Sequence, residues 1–309
     1  RRRVPARVAA FGSAALLCLL AVAARAQHSE ATPPREPRLP RVIGFPVVGY
    51  APETSVAFAG LGMLQLQVGQ PSPSNRLSTV SAAAAYTLRN QWLVSLAPSF
   101  YLRNGRAHVY GDLRVQQWDG DFYGLGRNAS LDAAETFVPR EARAAVGFRH
   151  RVADTSLSLG TRARIRALTM HERVEGGLLE SVAPPGYDGA RVVALGAVAA
   201  CDTRDLEFFP RKGAFVEATL ERAAPELGAD HAFWGAEIDA RAYKQLGRRA
   251  EHIVAAQARV ELRDGTAPFF ELPTFGGMNI MRGVSEGLFR DQNGAAAQVE
   301  YRSPFVGPI

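Results

Sequence analysis

Long runs in which every second residue is apolar constrain this chain more than any other feature. From His108 to Gln116, the residues His108, Tyr110, Asp112, Arg114 and Gln116 alternate with Val109, Gly111, Leu113 and Val115. Successive side chains of a strand point to opposite faces, so one face of this segment is polar and the other small or apolar. The pattern returns at Leu157, Leu159, Ala163, Ile165 and Ala167 against Ser158, Arg162, Arg164 and Arg166. It returns again at 234–242, where Glu237, Asp239 and Arg241 are the polar members, and at 252–262, where Gln257, Arg259 and Glu261 are. These runs exceed the five or six residues usual in soluble strands and match the roughly nine to eleven that cross a bilayer at a tilt. A large soluble sandwich or propeller would also carry a polar face, but it has no use for such length. An arginine turned to lipid at the midplane costs about 2–4 kcal/mol, so Arg162, Arg164 and Arg166 must face a wet interior or an interface. The expected fold is all-β: a transmembrane antiparallel barrel over residues 42–309, with a polar lumen and an Ala/Val/Leu face in lipid.

Strands are expected near 54–69, 77–88, 91–102, 107–118, 141–152, 156–170, 190–202, 213–223, 232–246, 251–263 and 295–303, separated by Pro, Gly and Asn turn signals. Ten of them precede a glycine-rich stretch at 275–284 and one follows it. A chain that enters from the periplasm needs an odd number of strands before an extracellular loop. The count therefore requires one more strand, around 42–50 or inside 121–140.

The first residues set the compartment. Arg1, Arg2, Arg3 and Arg7 precede an apolar run from Val8 to Ala24, and Ala24-Arg25-Ala26 fits a small-x-small cleavage site. Residues 1–26 read as a secretory signal peptide, and the proline-rich 27–41 as an extended periplasmic arm. Five of the 36 basic residues fall in that leader, leaving 31 against 30 acidic ones. The rest of the chain is close to neutral and carries no basic footprint for nucleic acid. Cys201 is then the lone cysteine, which allows no internal disulfide and reads as a small apolar wall residue. The chain stops just after a strand, which suggests that further strands follow.

Several segments resemble the bacterial surface antigen family, the barrels of the BamA/TamA type. Tyr50-Ala51-Pro52-Glu53-Thr54, followed by Gly60 and Gly62, resembles the family's opening strand, and Phe122-Tyr123-Gly124-Leu125-Gly126-Arg127-Asn128 its mid-barrel aromatic-glycine segment. Asp202-Thr203-Arg204-Asp205, with Pro210 and Gly213, resembles its turn between two central strands. Met281-Arg282-Gly283-Val284 stands where the family has an aliphatic residue, Arg, Gly and an aromatic, so Val284 lacks the ring. The resemblance implies an outer-membrane barrel of about sixteen strands, with about four or five beyond those seen here to close the wall. It implies the module-less branch, without periplasmic repeat domains. It also implies a loop folded back into the lumen, where Gly276, Gly277 and Gly283 permit tight folding and Arg282 offers its donors to carboxylates. Candidate partners for that latch are Glu237, Asp239, Glu261 and Glu300.

The activity implied is insertion or translocation of unfolded outer-membrane proteins, with the bilayer and those clients as partners, accessory proteins unspecified, and no cofactor. A passive channel or structural surface antigen is the alternative. Asp202, Asp205 and Glu207 could suggest a metal, but no His or Cys accompanies them and no calcium-loop spacing is present, so a structural turn is the better reading. The six histidines show no metal-binding spacing, and no nucleophile or phosphate-loop motif occurs. A Ser-His-Asp set assembled across strands is the enzymatic arrangement that sequence leaves open.

Overall fold

The computed structural model describes residues 40–303, apart from 53, 69–76, 127–128, 208, 248–251 and 278–279. The expected leader and all but the end of the expected arm lie outside the described residues. The strands are β1 (Arg41–Ala51), β2 (Ser55–Leu66), β3 (Ser78–Thr87), β4 (Trp92–Leu102), β5 (Ala107–Gln117), β6 (Gly120–Phe122), β7 (Glu135–Arg151), β8 (Leu157–Glu172), β9 (Gly189–Asp202), β10 (Gly213–Ala223), β11 (Phe233–Leu246), β12 (His252–Gly265), β13 (Thr274–Phe275), β14 (Phe289–Arg290) and β15 (Asn293–Arg302). All but β6, β13 and β14 join one continuous antiparallel sheet in which each long strand pairs with the next long one, and β6 adds to β7. Among the described residues no helix is long and apolar enough to cross a membrane. No ladder joins β1 to β15 among the described residues.

The strand required by parity is β1. With it, eleven long strands precede the glycine-rich loop. Tyr50 and Ala51 end β1, and Pro52 and Thr54 lie in a turn before β2 rather than in the opening strand itself. Strand β7 begins at Glu135, earlier than expected, and its register with β8 shifts between Val138 and Pro139, where proline removes a ladder donor.

Six connections lie at one end of the sheet: 52–54, 88–91, 118–134, 173–188, 224–232 and 266–292. The longest are there, which marks that end as the extracellular rim. Side-chain alternation follows the sequence pattern. Val94, Leu96, Leu113, Val115, Val146, Phe148, Leu159, Ile165 and Leu195 are exposed on the outer, lipid-facing side, and the charged residues along the middle of β5, β7, β8, β10, β11 and β12 face the lumen, whereas Arg222, Lys244 and Asp264 near strand ends share the outer face. Cys201 is fully buried on the outer side, packed with Val216.

The upper lumen holds the hydrophobic core. Phe122 of β6, Leu179 of a short helix (Leu178–Val182) and Phe269 and Phe270 of the 266–292 loop pack on Phe137, Val192 and Phe233 of the wall. Phe269 is the hub, edge-on to Phe122, Phe137 and Phe270 at 6.0, 5.6 and 5.6 Å.

Strand β1 carries a proline. Leu88 N–H donates to Val56 O at 2.9 Å, so the even-numbered residues of β2 direct their backbone groups at β3 and the odd-numbered ones at β1. Pro46 pairs with Gly60 in register and therefore turns its ring nitrogen to the outer edge, where proline is tolerated.

Candidate functional site

The loop between β12 and β15 enters the lumen and is held at two levels. The upper hold is a 3-10 turn, Phe269–Glu271, all three residues of which are buried. Pro268 and Pro273 bound the segment, and both are fully buried. Each carbonyl of the turn accepts from a different guanidinium. Arg290 donates to Phe269 O at 2.8 Å, Arg166 to Phe270 O at 2.7 Å and Arg263 to Glu271 O at 2.9 Å.

The Glu271 carboxylate reaches the wall as well. Arg164 donates to it at 2.7 and 3.2 Å, and Arg166 at 3.2 Å. Burial alone would raise this carboxyl, yet Arg164 and Arg166 hold it below the ordinary carboxylate value. Burial pushes the Arg290 guanidinium the other way, down to about 10, with Arg166 nearby adding to the effect.

The wall arginines have second partners. Arg164 pairs with Glu221 at 2.5 Å, Arg166 with Glu141 at 2.8 Å and Arg263 with Glu237 at 2.6 Å. The Arg166–Glu141 and Arg263–Glu237 pairs join neighbouring strands, whereas Arg164–Glu221 spans β9 because small residues lie between them. Gly196 of β9 sits in register between Arg162 and Glu221, and Ala194 between Arg164 and Ala223. A Cβ on Gly196 would lie 2.9 Å from that of Glu221. Gly235 is similar, since a Cβ there would stand 3.2 Å from Glu221 Oε1 and 3.3 Å from Arg263 Nη1. Arg162, Arg164, Arg166, Glu237 and Glu261 line a luminal cavity of about 500 Å³ under the turn.

The lower hold is the tip. Gly276, Gly277 and Gly283 all have positive φ, as does Met281, and Val284 N–H donates to Met281 O around the turn that carries Arg282. Gly277 N–H closes it by donating to Val284 O at 2.8 Å. Met281 N–H donates to Gln298 of β15, Gln298 to Gln257 of β12, and Gln257 to Asp239 of β11, at 3.2, 3.1 and 3.2 Å. The tip thus rests on a ladder of amides near the lower end of the lumen.

Arg282 lines a second luminal cavity, of about 340 Å³, with Asp239, Arg259 and Glu300. Its side chain is 71% exposed and lies 3.9 Å from Glu300. Glu300 pairs more closely with Arg302, at 2.8 Å. The other candidate partners are engaged with wall arginines: Glu237 with Arg263, Asp239 with Arg241 at 2.6 Å, and Glu261 with Arg259 at 2.7 Å. Glu271 carried no motif, and its partners Arg164 and Arg166 are more than a hundred residues away in sequence. Its one local signal is an acidic residue set among Phe269, Phe270 and Leu272 between two prolines.

The β9–β10 turn folds beneath the wall. Asp202 accepts two bonds from the Arg204 guanidinium, at 3.0 and 2.8 Å, and that group lies 4.6 Å from the Phe215 ring. Asp205 accepts from the backbone of Leu206, Arg211 and Lys212 and from the Arg211 side chain. Burial alone would raise Asp205, but these amides hold it low. Pro210 is buried, and Gly213 has φ +100° beside the Thr203 backbone. Both aspartates are thus committed to arginine and amide partners. Among the described residues no cluster of His, Cys, Asp or Glu could hold a metal.

One serine does meet a histidine. Ser99 Oγ lies 2.8 Å from His108 Nε2, and His108 Nδ1 lies 2.9 Å from Arg149 Nη2. A guanidinium only donates, so Nδ1 accepts and the ring proton sits on Nε2, directed at the serine. A nucleophilic serine needs the opposite tautomer, set by a carboxylate at Nδ1. This pair therefore does not activate Ser99.

An up-and-down sheet with an apolar outer face, a charged lumen and a long loop plunging inside defines an outer-membrane β-barrel. The Omp85 superfamily domain model matches residues 94–307, and the chain belongs to that superfamily, as a barrel of the BamA/TamA type in the bacterial outer membrane. The fold matches the crystal structure of BamA from Haemophilus ducreyi lacking POTRA domains 1-3, with a TM-score of 0.53 and 15% identity. That match covers 89% of this chain and 55% of the other, so the chain spans little more than half of its relative's length. No curated protein matches the sequence.

Proposed function

We propose that this barrel assists the insertion or translocation of outer-membrane proteins by offering the edge of β1 to an incoming strand. What supports this reading is the Omp85 superfamily match over residues 94–307 together with the BamA-like fold. An unpaired edge is a ready template for another strand, and in hydrocarbon each unpaired backbone group costs several kcal/mol. The clients are unfolded outer-membrane proteins, and no cofactor or nucleotide enters the scheme. The re-entrant loop acts as a luminal latch, held chiefly through Glu271 on Arg164 and Arg166, with Arg282 at its tip near Glu300.

Depleting the protein in its native organism and taking a proteomic census of other outer-membrane barrels tests the reading. A selective fall in those barrels is expected, and unchanged levels refute it. A passive channel would conduct instead. The loop fills the lumen at two levels, so planar-bilayer conductance should stay low in the intact protein and rise when residues 274–290 are removed. Steady high conductance in the intact protein favours the channel.

A further inference from the structure

We propose that the extracellular rim holds the phosphate groups of anionic lipid headgroups against its outer, membrane-facing surface, through Arg222 stacked on Trp234 and through Arg140. Two central strands fix the level. On the outer face of β11, Trp234 and Lys244 bracket Ala236, Ile238, Ala240 and Ala242. On that of β7, Arg140 and His150 bracket Ala142, Ala144, Val146 and Phe148. Each bracket is ten residues long. At a rise of about 3.3 Å per residue and a tilt of about 40°, that spans about 25 Å, the height of an outer-membrane apolar band. The upper brackets lie at one height. The register row through Trp234 passes Arg222, Leu195 and Ala163 and reaches β7 at Val146, six residues below Arg140. Over the four strand steps from β11 to β7, a tilt of about 40° gives a stagger of about five residues. Rings mark the same boundary, since the row through Arg140 continues as Gln117, Trp92 and Tyr86. Aromatic girdles sit where the apolar band meets the headgroups.

The protein does not neutralise the cations on this boundary. Among the described residues neither Arg140 nor Arg222 forms an ion pair. The Arg222 guanidinium lies over the Trp234 ring at 5.2 Å, which leaves its N–H edge for an oxyanion. Trp234 itself is 39% exposed to the membrane side. Arg140 donates to Gln117 Oε1 at 2.8 Å and to His171 Nε2 at 3.1 Å, so the imidazole nitrogen accepts and brings no negative charge. Arg191, on the same face of β9, differs: Asp230 lies 3.8 Å away and Gly228 O accepts from its Nε at 2.7 Å. Asp264 stands across Trp234 from Arg222, with the ring between them. A guanidinium at the edge of hydrocarbon needs a counter-charge, and the anions a bilayer supplies at this height are lipid phosphates. This surface belongs to the middle of the sheet, with wall strands on both sides. The inference is independent of client insertion and holds for a barrel with any activity.

The test uses the full-length protein with every tryptophan except Trp234 replaced by Phe. It is reconstituted in phosphatidylcholine vesicles holding a minor fraction of phosphatidic acid, with bromine on the acyl chains of one lipid or the other. The ratio of quenching by the two lipids, per mole, gives their relative affinity at Trp234. Phosphatidic acid should be preferred about fivefold, the factor for one cation near an anionic surface. Arg222→Gln should abolish the preference, and Arg222→Lys should keep most of it. Equal quenching by the two lipids with Arg222 in place overturns the proposal, and so does a preference that survives Arg222→Gln. Heat-modified gel mobility confirms folding. If Arg222→Gln does not fold, Trp92, two strands from Arg140, serves as the only tryptophan and Arg140→Gln as the variant, with the same outcomes deciding.

Discussion

Replacing Glu271 by Gln removes the charge that two wall arginines share while keeping the side chain's size. Breaking a buried ion pair from one side costs about 3–5 kcal/mol, because the remaining charge is left uncompensated. Here Arg164 keeps Glu221 and Arg166 keeps Glu141, so neither is left without a carboxylate. The lower end, about 3 kcal/mol, is therefore expected. That is about two orders of magnitude in the equilibrium between docked and released loop. Arg282→Ala provides the contrast, since a solvated pair at 3.9 Å contributes about 0–1 kcal/mol. Limited proteolysis of the folded barrel, read as the rate of cleavage within 274–290, measures the difference. Glu271→Gln should accelerate cleavage strongly and Arg282→Ala by less than about tenfold. If Arg282→Ala releases the loop as much as Glu271→Gln does, the loop is held at its tip and the ionic argument is refuted.

Other consequences are open to measurement. Because the Glu271 carboxyl is held low, its contribution is full above the ordinary carboxylate value of about 4.3 and is lost as pH falls through the lower folded value. Cleavage of the loop by an acid-active protease should rise only below that range, and Glu271→Gln should abolish the dependence. Gly235→Val drives a branched side chain between Glu221 and Arg263 and should cost about 1–3 kcal/mol, seen as a lower temperature for the heat-modified gel shift; an unchanged transition would mean that the pairs re-form at no expense. Gly213→Ala places a Cβ at positive φ against the Thr203 backbone and should cost at least about 1–2 kcal/mol by the same assay.

The architecture was readable wherever one face of a strand is charged. Strands β5, β8, β11 and β12 announce themselves through Asp112, Arg164, Asp239 and Arg259, each flanked by apolar residues. Strand β1 did not, because Val42-Ile43-Gly44-Phe45-Pro46-Val47-Val48 has no polar face and contains a proline; parity required one more strand, but left its place open between 42–50 and 121–140. The loop's place in the lumen followed from the resemblance around Arg282 and Gly283. Its upper hold did not, since Glu271 meets Arg164 and Arg166 only after the sheet has curled to bring β8 and the end of β12 to one cavity. Such a contact leaves no local period and no motif. The roles of Gly196 and Gly235 were hidden for the same reason: their φ values are ordinary, and what makes them matter is the width of the side chains opposite.

Pro46 removes one donor from the outward edge of β1, which among the described residues pairs only on its other side. A strand laid along it finds donors at Gly44 and Val48, with none at Pro46 between them. It can zip only in two short stretches, and the carbonyl that faces the gap stays unmatched in hydrocarbon, at several kcal/mol. Adhesion at this edge is therefore weakest at mid-height. Whatever pairs there can be shed again without unfolding the wall, and reversibility is written into the edge by a single imino acid.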